Sequence, residues 1–283
     1  MNNKATISKV WSRCYTLTQA ELHNENMTRT IKAILFDLGD TLLDFGEVNL
    51  RALFNQGARG AYDYLLKLGH PLPPFARYHS RHLRAVHWNV LKSAIVRREF
   101  NTLHVMTRLC RRMGLSLDSK QLLELCWLWY EPLSRRAVVE PGLQDMLQGF
   151  INDGLQIALV SNTFVPGEVL DRHLESEKLL DFFPVRVYSC QVGFRKPDPR
   201  IFMEALSRLG LQAREAIFVG DSPKSDIRGA NRVEMISVLR DRTGRYAQLR
   251  YRPTHRIRSI LELSSIIAQY DGNNQTPSPG AKE

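Results

Sequence analysis

Between Ile31 and Arg258, short runs of apolar and β-branched residues alternate with amphipathic helical stretches, a rhythm that demands βαβ units and a parallel sheet. The runs fall at 33–37, 157–161, 185–189, 216–221, 236–239 and 255–258, with helical periodicity notably at 142–153, 199–209 and 226–232. Right-handed crossovers then put helices on both faces of a doubly wound α/β sheet and collect the strand ends along one edge. One interval breaks the rhythm. The roughly hundred residues after the first run carry helical periodicity and few strand signals, too many for a simple crossover. Helices are predicted there at 50–68, 79–99, 102–113 and 119–130, separated by turn-forming stretches around Gly69-His70-Pro71 and Gly114-Leu115-Ser116. The expected organisation is an all-helical cap at 46–137 inserted into a core built from 31–45 and 138–270. A dispensable N-terminal extension at 1–30 and a disordered tail at 271–283, rich in Gly, Asn, Pro and Ser, complete it.

Of the 283 residues, 43% are hydrophobic and 24% charged, which suits a globular chain, and no apolar run is long enough to span a membrane. Four widely separated cysteines (Cys14, Cys110, Cys126 and Cys190) form no CxxC pair, so a reducing, cytoplasmic setting is expected. The formal net charge is +10, with much of the surplus in arginines of the helical interval such as Arg77, Arg81, Arg84, Arg97 and Arg98. Solvated helix faces explain that bias better than a nucleic-acid groove, and a small phosphorylated substrate fits it too. No pattern bears on oligomeric state.

Four short sequences fall at or just beyond strand ends. Asp37-Leu38-Gly39-Asp40-Thr41 presents a carboxylate and a Gly-containing turn after the first strand. Val160-Ser161-Asn162-Thr163 supplies a hydroxyl and an amide, and Gly193-Phe194-Arg195-Lys196-Pro197 an ammonium group before a helix start. Val219-Gly220-Asp221-Ser222 through Asp226 sets two carboxylates five residues apart across a strand-to-helix turn. Nucleophile, hydroxyl, ammonium and an acidic pair together suit phosphoryl transfer.

In order, spacing and strand context these motifs resemble the haloacid dehalogenase superfamily of hydrolases, in its phosphatase branch with a helical cap inserted after the first motif. The resemblance runs from about Ile31 to Leu263 and is most specific from Gly220 to Ala230. It implies that Asp37 attacks phosphorus to form an aspartyl-phosphate. Asp37, the Gly39 carbonyl and Asp221 would hold Mg²⁺ through oxygen, with Asp226 as an outer or water-mediated partner. Ser161 and the backbone N–H of Asn162 would bind the substrate phosphate, and Lys196 would neutralise charge on phosphate and nucleophile.

The chain departs from that pattern at Gly39, where most such phosphatases carry the Asp that protonates the leaving oxygen and activates water. The neighbouring carboxylate, Asp40, is expected to cap the turn and face away, because adjacent turn residues point in different directions. General acid/base catalysis is worth about 10²–10⁴-fold, so a slow enzyme is expected. Relatives lacking this Asp include metal-free dehalogenases, which the pair Asp221 and Asp226 argues against. They also include phosphonate hydrolases with a cap Schiff-base lysine, for which Lys67 and Lys92 have no telling context. A non-catalytic phosphate- and Mg²⁺-binding protein is the alternative. His79, His82 and His87 do not share one helical face, and Trp127, Trp129 and Tyr130 are expected to pack the cap.

Overall fold

A computed structural model describes residues 30–96 and 99–272. Six parallel strands, β1 (Ala33–Phe36), β4 (Gln156–Ser161), β5 (Val185–Tyr188), β6 (Ala216–Gly220), β7 (Ile236–Arg240) and β8 (His255–Ile257), form one sheet in the order β5-β4-β1-β6-β7-β8. Phe36 stands in register with Leu159 on one side and Val219 on the other, so the residues that follow β1, β4 and β6 emerge together at one edge.

The period-two pattern of each strand divides the core between the two faces. Ala33 and Leu35 join Ala158, Val160 and Phe218 beneath α8 (Pro199–Leu209) and α9 (Arg228–Arg232). Ile34 and Phe36 join Ile157, Leu159 and Val219 beneath α5 (Leu143–Asn152), α6 (Gly167–Ser176) and α10 (Leu263–Gly272). A four-residue helix, α7 (Ser189–Val192), follows β5.

Two residues of β2 (Leu43–Asp44) pair antiparallel with two of β3 (Val138–Val139), and the helical insert lies between them. It consists of α1 (Leu50–Lys67), α2 (Phe75–Val96), α3 (Thr102–Arg112) and α4 (Ser119–Ser134). Side chains of Asn49, Asn101 and Asp118 cap α1, α3 and α4 by accepting N–H bonds of the first turn, each such cap being worth about 1 kcal/mol. Helices α1 and α4 cross closely at Gly57, where a Cβ would stand 2.6 Å from the Trp129 carbonyl oxygen. Trp127, Trp129 and Tyr130 are buried, as expected. The insert is fastened to the sheet edge where the Thr102 N–H and hydroxyl both donate to the Phe164 carbonyl, at 2.8 and 2.7 Å.

Several boundaries differ from expectation. Helix α2 begins at Phe75 rather than 79, and α4 runs through Pro132 to Ser134, where only the last turn is left to tolerate the missing N–H. Helix α10 includes Asp271 and Gly272, the first two residues of the expected tail. Most of the expected N-terminal extension, and the tail beyond Gly272, lie outside the described residues. Among the described residues no helix is long and apolar enough to cross a membrane. Cys110, Cys126 and Cys190 are free thiols.

Candidate active site

Asp37 leaves β1 with its N–H donating to the Val219 carbonyl at 2.9 Å, which continues the β1–β6 pairing by one residue and fixes the start of the loop. Its Oδ1 accepts the Leu38 N–H at 2.8 Å and lies 2.8 Å from Lys196 Nζ. The same ammonium stands 2.8 Å from Asp226 Oδ1. Lys196 is 2% exposed and Asp226 fully buried, so this pairing takes place out of water.

The position of Asp226 follows from the turn after β6. Residues Pro223–Ile227 form one π-helical turn, closed by an N–H bond from Ile227 to the Ser222 carbonyl at 3.3 Å. This wide turn carries Asp226 back beneath Asp221, and its Oδ2 accepts the Ser222 N–H at 2.9 Å. Gly220 permits the approach: a Cβ there would come within 2.5 Å of the Asp226 side chain. Five-residue spacing and an α-helical start were expected from sequence; the π turn is what makes both carboxylates face one point.

Asp37, Asp221 and Asp226 each present an oxygen within 4.8 Å of the other two. Burial pushes the Asp37 carboxyl up to about 7, with Lys196 opposing and Asp226 and Asp221 adding to the rise. Burial likewise raises Asp221 to about 6, helped by Asp226 and Asp40. Burial works against the Lys196 ammonium, yet Asp226 and Asp37 hold its pKa above the ordinary lysine value. Three hard oxygen donors that repel one another are a donor set a divalent cation fits. No histidine joins them in a metal-binding group among the described residues: His82 is buried and His79 stacks on Phe75.

Ser161 ends β4 and is buried at the same edge. Asn162 uses its side chain in a way sequence reasoning did not anticipate. Its Oδ1 accepts the Lys196 N–H at 2.7 Å and its Nδ2 donates to the Lys196 carbonyl at 3.0 Å, clamping the lysine backbone. Just beyond, Asp198 caps α8 and Pro199 occupies its first turn, fixing where the helix begins after Lys196.

Gly39 makes a bridge with Leu43, and a Cβ on it would meet only Phe45 Cε2, at an ordinary 3.5 Å. Asp40 is exposed, adopts a left-handed φ of 56°, and turns its Oδ1 toward the Phe45 N–H at 3.4 Å. It therefore caps the loop, while lying near enough to Asp221 to add to the rise of that carboxyl.

Two arginines near the site were missed. Arg240, 5% exposed, donates from Nη1 to the Asp40 and Thr41 carbonyls at 3.1 and 3.0 Å and from Nη2 to Glu140 at 2.8 Å, tying the Asp37 loop to the return from the insert. Arg245 reaches from the loop after β7 to place Nη2 2.7 Å from Asp221 Oδ2. The available signal was Asp241-Arg242-Thr243-Gly244, a turn sequence directly after a strand whose end lies on the functional edge.

The family model described as haloacid dehalogenase-like hydrolase matches residues 31–234. The glyceraldehyde 3-phosphate phosphatase of Pyrococcus furiosus is 29% identical over 230 residues, covering 78% of this chain and 85% of that protein. A glyceraldehyde 3-phosphate phosphatase of Methanopyrus kandleri is 41% identical over 93 residues, 31% of this chain; the match spans only 40% of that protein. Among solved structures, a HAD phosphatase from Thermococcus onnurineus superposes with a TM-score of 0.54 at 27% identity, covering 84% of this chain and 98% of that one.

Proposed function

Since this chain belongs to the haloacid dehalogenase-like hydrolases, we propose that it is a Mg²⁺-dependent phosphatase of small organic phosphate monoesters, working through an aspartyl-phosphate on Asp37. One observation carries the reading: Lys196 is buried between Asp37 and Asp226, with Asp221 closing the group, at the edge where β1, β4 and β6 end. The relatives named above, whose names specify phosphorylated substrates, support the substrate class.

Asp37, Asp221 and Asp226 would hold the cation, and the Gly39 carbonyl is suited to join them. When bound, it supplies charge neutralisation between an anionic nucleophile and an anionic phosphate. An Asp37 oxygen forms the new bond to phosphorus as the ester P–O bond breaks and its electron pair leaves on the alcohol oxygen. Lys196 orients Asp37, opposes the rise that burial imposes on its carboxyl, and offers positive charge to the transferring group. Ser161, with the Asn162 N–H, would bind phosphate oxygens, and Asn162 would also position Lys196. Attack of water on the aspartyl-phosphate then returns free Asp37 and releases phosphate. No carboxyl group stands at Gly39 to protonate the leaving alcohol or activate that water, so substrates with acidic leaving groups are favoured.

The test is hydrolysis of p-nitrophenyl phosphate with Mg²⁺ by the wild-type protein and by Asp37→Asn. Turnover should fall to background in the variant and in wild type treated with chelator. Equal rates in the two proteins would remove Asp37 as nucleophile. A phosphate- and Mg²⁺-binding protein without turnover is the second reading, favoured by the bare Gly39 and by the engagement of Asp40 with the Phe45 N–H. Tight phosphate binding with no release of nitrophenol would support it.

A further inference from the structure

Three carboxylates and two cations meet at the functional edge, and the cations are held in different ways. Lys196 is buried and committed to Asp37 and Asp226. Arg245 has a side chain 54% exposed and pairs with Asp221, which forms no other ion pair among the described residues. Its approach is built into the backbone. Asp241, buried just past β7 and paired with Arg256, accepts the Arg245 N–H at 3.0 Å and the Tyr246 N–H at 3.4 Å. The Gly244 N–H donates to the Asp241 carbonyl at 3.2 Å, closing a turn that aims the arginine back over the strand edge. Its guanidinium carbon lies 4.8 Å from the centre of the Tyr246 ring.

Resting on the metal site proposed above, we infer that Arg245 is a resident counter-cation of Asp221 that a divalent ion must displace or oppose, and that this residue sets the affinity of the site for metal. A guanidinium at 2.7 Å from Asp221 Oδ2 occupies one face of a carboxylate the metal also needs. If the arginine stays, two cations repel across one carboxylate; if it leaves, its ion pair is lost. Half exposure makes leaving easy, since the freed guanidinium turns into water. Lys196 cannot exchange in this way, because withdrawing it would strand two buried carboxylates.

Titration calorimetry with Mg²⁺ and with Mn²⁺, in the absence of any phosphate ester, tests the inference on the full-length wild type, Arg245→Gln and Arg245→Lys. Arg245→Gln should bind both ions about tenfold more tightly, while Arg245→Lys, which keeps the charge, stays within about threefold of wild type. The exposed position predicts unchanged thermal melting of both variants without metal. Equal or weaker binding by Arg245→Gln overturns the role of Arg245 and leaves the metal site standing. Arg245→Lys matching Arg245→Gln also overturns it, because the effect would then belong to the loop and not to the charge. Absence of binding in all three proteins overturns both this inference and the metal reading.

Discussion

Asn162 works from the side: by gripping the Lys196 backbone at both N–H and carbonyl it sets where the ammonium can reach. Asn162→Ala should therefore leave the fold intact but lower phosphate-ester turnover about 10- to 100-fold through loss of lysine positioning. Circular dichroism beside steady-state kinetics checks this, and an unchanged rate would assign the clamp to stability alone. At Gly39 the outcome runs the other way. Only Phe45 lies near a Cβ there, at 3.5 Å, so Gly39→Asp has room for its side chain. It should raise p-nitrophenyl phosphate turnover about 10²-fold or more. The gain should be larger still for alkyl phosphates, whose leaving groups need the proton more. Asp37, Ser161 and Asp221 were legible as residue types because each follows or ends a strand-like run, and Lys196 and Asp226 because each stands at or just before a helix start. The clamp was not, because an amide that binds a backbone 34 residues away leaves no local pattern.

At the scale of elements, Arg240 joins the end of β7 to the Asp37 loop and to Glu140 beyond β3. Glu140 also accepts from the Ser259 hydroxyl and from the Ile260 N–H at 3.3 Å, so its carboxylate is a node between three segments. Arg240→Ala removes the buried partner of that carboxylate and should destabilise the protein by about 3–5 kcal/mol, read as a lower urea midpoint. A shift below about 1 kcal/mol would show that water replaces the guanidinium without penalty. The sheet was readable strand by strand because β1, β4 and β6 are dense in buried apolar residues beside turns. The β2–β3 pair was not, since two residues per strand carry no periodicity. Helix α6 escaped because it opens on Pro166-Gly167, a pair that reads as a turn although proline is tolerated before the first helical N–H bonds.

For the whole molecule, acid should act through two buried histidines, His82 in the insert and His173 on α6, which burial likewise lowers to about 4. His82 is fully buried, its Nδ1 donates to the Tyr78 carbonyl at 2.8 Å, and its Nε2 has no partner among the described residues. Burial lowers its pKa from 6.5 to about 4, with Arg81 and His79 pushing the same way and the Tyr78 bond opposing. A depressed folded-state value gives stability that is whole above pH 6.5 and is lost as pH falls toward 4, on the order of 3 kcal/mol in all. Wild type should therefore melt progressively lower across that window, and His82→Phe should show a flatter acid limb. Parallel acid limbs would assign the loss to other groups. The pairing of Leu43 with Val139 and Asp44 with Val138 has a further consequence. To the sheet, the four helices amount to the loop of a single hairpin, entering and leaving through adjacent residues. Closing such a loop costs only about 0.6 kcal/mol more for each doubling of its length. At β2 and β3 the length of the insert is therefore weakly constrained, while its inner face is not: Leu65, Tyr78, Val105 and Leu125 share one buried cluster with Ile34, Phe36 and Leu159 of the sheet.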